Sequence, residues 1–136
     1  MTKGPRSEGR AAVVQLLYQL DCGGEHPEPM NAFFEHLRPE VSSKARRFAR
    51  ELYQEVVAHL DEVDELLQRS ARNWRVERMS RVDRSILRVA THELTRPDGP
   101  PPAVVINEAV ELAKAFGSED SAKFVNGVLA RVNRAR

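Results

Sequence analysis

Glu108 and Glu111 stand three residues apart in "INEAVELAK", a spacing that puts two carboxylates on one helix face, where a pair could exchange a proton as general acid and base. The commoner fate of two glutamates on a helix surface is solvation or an ion pair, and nothing beside them adds a nucleophile. His26, His36, His59 and His92 are scattered, and none falls in an HExxH or comparable metal-ligand spacing. His92-Glu93, near the end of a predicted helix, reads as a surface or capping feature. Cys22 is the single cysteine, so it has no CxxC partner and no internal disulfide is available. A glycine-rich phosphate loop is absent from the sequence as well. These residue types nominate no base, nucleophile, metal or cofactor, and they point to a binding module.

Charge placement is the next source of chemistry. The formal net charge is only +1, but the signs come in blocks. Lys3, Arg6 and Arg10 face Glu8 alone near the start. Arg38, Lys44, Arg46, Arg47 and Arg50 are opposed by Glu40. Residues 51–67 then carry Glu51, Glu55, Asp61, Glu62, Asp64 and Glu65 with no lysine or arginine. Seven arginines follow between Arg69 and Arg88, against Glu77 and Asp83. Such blocks suit oriented contacts with charged partners, although each alone is also an ordinary solvated face. The arginines from 69 to 84 recur every three residues, which does not track a helical turn, so they cannot form one straight stripe. The basic start can dock on nucleic-acid phosphates.

The elements that must position these groups are helical throughout. A chain of 136 residues, 41% hydrophobic and 30% charged, is long enough for a core without staples. No apolar run approaches the roughly 20 residues of a membrane span. Together with the lone cysteine and no signal-peptide pattern, this predicts a cytoplasmic protein. "SEGRAAVVQLLYQLD" predicts a first helix capped by Ser7, and "MNAFFEHL" a short second one ended by Pro39. From Ser42 to about Ala71 the periodicity predicts two helices, with Asp61 as the recapping point. "ARNWRVERM" reads as a connection, and Ser80 caps "RVDRSILRVATHEL". After the loop "TRPDGPPPA", a helix opens at Pro102 and closes at Gly117. Ser118 or Asp120 caps the last helix. The expectation is an all-α fold of about seven helices. Within the last one, Asn126-Gly127 would mark a hairpin turn between strands. With no flanking strands the helical spacing prevails, and Gly127 is expected to let another helix pack closely. Asn126 is left between a buried hydrogen bond and an exposed contact.

"GRAAVVQLLYQLD", "VDRSILRVATHEL" and "VVINEAVELAKAFGSEDSAKFVNGVL" resemble, in order, the NusB family of transcription antitermination factors. The last block is the most specific, while residues 23–79 match more loosely. The resemblance implies two small packed helical bundles in one RNA- and protein-binding domain over 1–136, and composition predicts a flexible basic arm at 1–6. The resemblance also implies no enzymatic activity and no cofactor. The partners it implies are the boxA element of ribosomal RNA leader transcripts and NusE, the small-subunit ribosomal protein S-ten. The pair would join an RNA polymerase antitermination complex that promotes ribosomal RNA transcription. Family members occur as monomers and dimers, so a homodimer is among the implied assemblies.

Carried over residue by residue, the family's basic N-terminal motif falls on Lys3, Arg6 and Arg10. Gly4, Pro5, Ser7 and Gly9 stand where further cations are usual. A second RNA surface, at the join of the last two helices, matches Lys114, Asp120, Ser121, Lys123 and Phe124. Cations there would meet phosphates, Phe124 would stack an unpaired base, and Asp120 and Ser121 would read base edges. The resemblance places NusE on Tyr18 and Asp83. Two other classes stand beside this one: an RNA-binding domain detached from a ribosomal RNA methyltransferase, and a protein-binding scaffold with weak or lost RNA binding.

Overall fold

The computed structural model describes residues 4–23 and 30–136 of the chain. Lys3, the Gly24 half of the Gly23-Gly24 pair and His26 lie outside the described residues. Among those described there are seven α-helices and no strand: α1 (Pro5–Asp21), α2 (Met30–His36), α3 (Ser43–Ala58), α4 (Leu60–Ser70), α5 (Arg81–Thr95), α6 (Pro102–Phe116) and α7 (Ser121–Ala135), with a single 3-10 turn at Val76–Arg78 between α4 and α5. The all-α expectation is met. The chain divides into two compact units, with the boundary between Val57 and Ala58.

In the first unit α1 starts earlier than Ser7. Gly4 is the N-cap and Pro5 the first helical residue, because proline's fixed φ suits a helix start and its missing N–H would have no partner there. Arg6 thus belongs to the first helical turn rather than to a flexible arm. The helix ends at Cys22, followed by Gly23 at φ +84, the left-handed conformation that glycine takes without strain. α1 and α3 approach closely at Gly9. A Cβ there would stand 2.6 Å from the Phe48 ring and 3.1 Å from the Ala45 carbonyl. Val13, Leu16 and Leu17 of α1, Phe34 of α2, and Leu52, Tyr53 and Val56 of α3 are buried.

In the second unit α5 is the central helix, packed on α4, α6 and α7, while α6 and α7 pack on each other. Ser80 caps α5 as expected, its hydroxyl accepting from the Asp83 N–H at 3.1 Å. The break between α3 and α4 falls at His59 rather than at Asp61. Asp61 and Glu62 instead occupy the first turn of α4, where carboxylates interact favourably with the helix dipole. His92 and Glu93 are buried, not on the surface, since the central helix is covered even near its end. His92 lies against His59, with ring centroids 5.7 Å apart.

One glycine of this unit departs from its expected role. Gly127 is exposed, and a Cβ there would meet nothing within 4 Å, so no helix packs against it. Asn126 is exposed too. The close approach is at Gly117, which closes α6 with extended backbone rather than a left-handed turn. A Cβ on it would stand 2.4 Å from the Ser121 hydroxyl and 2.7 Å from the Ala113 carbonyl.

Candidate nucleic-acid interface

The loop from Gly117 to Asp120 forms one wall of a cleft of about 470 Å³ in the second unit. Ser121 is only 2% exposed. Its hydroxyl accepts from the Ser118 N–H at 3.0 Å and lies 3.2 Å from the Ser118 hydroxyl, so it is committed to holding the loop against Gly117. This differs from its expected reading of base edges. Asp120 takes the N-cap position of α7 but makes no side-chain capping bond. Its backbone is helical (φ −92, ψ −5), whereas a capping side chain requires the extended conformation. The exposed carboxylate is thereby left for another donor.

Phe124 is half-buried, and its ring meets Trp74 edge to face at 5.4 Å. Trp74 is 56% exposed. Two aromatic rings with open faces, flanked by Arg78 and Lys123, make a platform on which bases can stack while cations hold phosphate. Asp83 reaches the same cleft from α5. Its Oδ1 is shielded from solvent and has no hydrogen-bond partner among the described residues. A shielded carboxylate oxygen without a donor is unfavourable.

The structure therefore gathers Asp120, Ser121, Lys123 and Phe124, and adds Asp83 to them. Lys114 does not line this cleft; it is exposed and 3.8 Å from Glu111. That contact also accounts for one of the two glutamates considered as a catalytic pair. Trp74 is not among the sequence-predicted site residues, and Arg78 enters there only as one of the seven unassigned arginines. A tryptophan interleaved with arginines, with no helical face to bury it, was the available signal.

The first unit carries a second cleft, of about 500 Å³, lined by Arg6, Lys44, Arg47 and Phe48 with Glu51 at its edge. The other cations of the 38–50 block are engaged internally. Arg38 bonds to Glu40 and Gln15, Arg46 to the Val41 and Pro39 carbonyls at 2.9 and 3.0 Å, and Arg50 to Asn31 at 2.6 Å. Arg10 corrects an expectation. It is 4% exposed, with its guanidinium 5.3 Å from the centre of the Phe48 ring. One residue after α1 meets α3 at Gly9, it is turned into the fold and is not a surface phosphate contact. Tyr18, at 40% exposure, stands on the open face of α1.

The arginine series from 69 to 88 also divides. Arg88 grips Asp64 through two bonds of 2.8 Å, Arg84 is buried and donates to the Val76 carbonyl at 3.1 Å, and Arg75 pairs with Glu77 at 2.8 Å. Arg78 faces the aromatic cleft. Arg69 and Arg72 line a third cleft with Arg131 and Arg134.

An all-helical fold with a cleft that combines stacking aromatics with cations fits a binding protein of the nucleic-acid class. Comparison with known proteins specifies it. A profile of the NusB family matches residues 7–134. The transcription antitermination protein NusB of Myxococcus xanthus (strain DK1622) is 47% identical over 135 residues, covering 95% of this chain and 94% of its own. The structure of T. maritima NusB superimposes with a TM-score of 0.82 at 36% identity, over 98% of this chain and 93% of that one. A crystal structure of antitermination factors NusB and NusE in complex with dsRNA gives 0.85 at 27% identity, over 97% and 98%. The chain belongs to the NusB family, a family of non-enzymatic transcription antitermination proteins.

Proposed function

We propose that this chain is a transcription antitermination factor that binds boxA RNA of ribosomal RNA leader transcripts together with NusE. The single observation that carries the reading is the Trp74–Phe124 platform with Lys123, Arg78, Asp120 and Asp83 around one cleft. Unpaired bases stack on the rings, the two cations take phosphates, and the Asp120 carboxylate accepts from exocyclic amino groups. Arg6, with Lys44 and Arg47 beside it, adds a cationic patch on α1 and α3, and Lys114 adds an exposed cation at the end of α6. Tyr18 is the apolar contact for NusE. Asp83 serves NusE by pairing with a basic side chain of that partner. The complex acts in the cytoplasm, within an RNA polymerase assembly that promotes ribosomal RNA transcription. Support comes from the family match and from the relative solved with NusE and dsRNA. The described residues contain no helix long and apolar enough to cross a membrane.

The test is a salt-titrated binding assay with boxA RNA, with and without NusE. Weak binding alone and clearly tighter binding with NusE are expected, because two partial surfaces are joined, and affinity falls as salt rises. A homodimer covering the cleft would compete with RNA, so light scattering is used to choose a concentration at which the protein is monomeric. No RNA binding at low salt with NusE present would overturn the proposal.

A further inference from the structure

The third cleft, about 580 Å³, lies where the C-terminal ends of α4 and α7 come together. It is lined by Arg69, Arg72, Asn73, Arg131 and Arg134, and no carboxylate side chain is among its lining residues. All four arginines are exposed, and none of their guanidinium groups makes a hydrogen bond or ion pair among the described residues. They differ in this from Arg38, Arg75, Arg88 and Arg96, each of which is paired with a carboxylate. Arginines near helix C-termini offset the helix dipole. That accounts for a cation at either end, but not for four that converge on one concavity without a counter-charge. Guanidinium forks at this density fit phosphate oxygens, which they can bind two at a time.

The position of the cleft says what kind of phosphate. Asn73, in its wall, is the neighbour of Trp74 in the stacking platform. Along α7, Phe124, Gly127, Arg131 and Arg134 recur every three or four residues, the spacing of one helix face. Between the aromatic and the arginines that face is bare, since Gly127 is exposed with open space where its side chain would be. The glycine, which gives up helix propensity for no packing gain, leaves a smooth floor over which a strand can lie against the helix. From Phe124 to Arg134 the rise is about 15 Å, no more than about four nucleotides of stacked strand at roughly 3.4 Å each.

We infer that one face of α7 is a track for single-stranded RNA, running from the Trp74–Phe124 platform over Gly127 to a phosphate clamp formed by Arg69, Arg72, Arg131 and Arg134. The inference rests on the RNA-binding reading and extends it. The platform holds bases, and the clamp holds the sugar-phosphate backbone of the adjoining nucleotides without reading sequence.

The experiment uses the full chain with NusE and boxA RNA cut to about four nucleotides, or extended on its 5′ or its 3′ side to about ten, lengths within the range of single-strand sites. The clamp variant is R131Q/R134Q, and R75Q/R96Q removes the same charge from arginines already paired. One of the two extensions should tighten binding to the wild type. The clamp variant should lose that gain, on the order of tenfold near 0.1 M salt, with a salt slope shallower by about 1.4, or roughly 0.7 per phosphate contact. It should bind the short RNA like the wild type. Gly127→Leu should weaken the extended RNA selectively without lowering thermal stability. An unchanged slope in the clamp variant, or an equal loss in R75Q/R96Q, overturns the clamp while leaving RNA binding itself in place. If the wild type binds no RNA of any length, both readings fall together. Displacement of the extended RNA from the arginines by an oligoglutamate of equal charge, at lower concentration than by RNA itself, overturns the nucleic-acid assignment in favour of an acidic peptide.

Discussion

The cleft of the first unit and the aromatic cleft of the second each hold cations, yet they are built for different tasks. In the first, Arg6, Lys44 and Arg47 border a single ring, Phe48, whose other contacts are Arg10 and the α1 backbone at Gly9. That ring is part of the packing, so the cleft offers charge with little to stack on. In the second, Trp74 and Phe124 meet edge to face and leave ring surface open, and two carboxylates stand among the cations. A charge-only surface senses phosphate density, whereas aromatic faces with acceptors can distinguish an unpaired base from a duplex. In the proposed function the two regions therefore separate positioning from recognition.

The largest effect that would break this contrast is expected at the platform. Trp74→Ala and Phe124→Ala should each cost roughly 1–3 kcal/mol of RNA affinity, read by fluorescence anisotropy. Trp74→Ala should leave thermal stability nearly unchanged because that ring is mostly exposed. If Arg6→Gln costs as much as Trp74→Ala, the distinction between the clefts is wrong.

A second pair of substitutions sharpens the contrast through stability. Gly9→Ala pushes a methyl into the Phe48 ring, and overpacking of this kind costs typically about 1–3 kcal/mol. Gly127→Ala meets open space and should stabilise by roughly 0.5–1 kcal/mol, the usual helix preference for alanine over glycine. Thermal melts giving both substitutions the same sign would contradict the packing described here.

The smallest effect concerns Tyr53 of the first unit. Burial pushes its phenol above the ordinary value of 10. A raised folded-state value favours the neutral form, so this contribution to stability is complete below about pH 10 and is lost as pH rises through the folded value. Tyr53→Phe should flatten the alkaline decline in denaturant melts without changing the curve near neutrality. An unaltered alkaline limb would mean that other groups govern it.

Much of the fold was legible because it depends on local signals. Ser80, Pro102 and Gly117 punctuate the helices where expected. Other local signals misled where tertiary packing or a rival cap prevailed. Ser7 gave way to Pro5, and Asp61 to a break at His59. For the site, the block "SEDSAKF" located the α6–α7 corner, but it could not tell that Ser121 is structural and Asp120 uncapped. Those roles depend on Gly117 and on one ψ angle. Trp74 stayed hidden because its partner, Phe124, is fifty residues away in the sequence.

By itself the sequence determined seven helices, the NusB resemblance and the types of residue available for RNA, since periodicity, capping and composition act over a few residues. Only the tertiary structure decided which cations are usable. Arg10, Arg84 and Arg88 look no different along the chain from Arg6, Arg78 and Arg131. Burial against the Phe48 ring removes Arg10 from the surface, partners at hydrogen-bond distance hold Arg84 and Arg88, and no local pattern encodes that. The same holds for Asn126-Gly127. Helix periodicity settled that it is no turn, while the open space around Gly127 is a property of what lies opposite it, which distant segments fix.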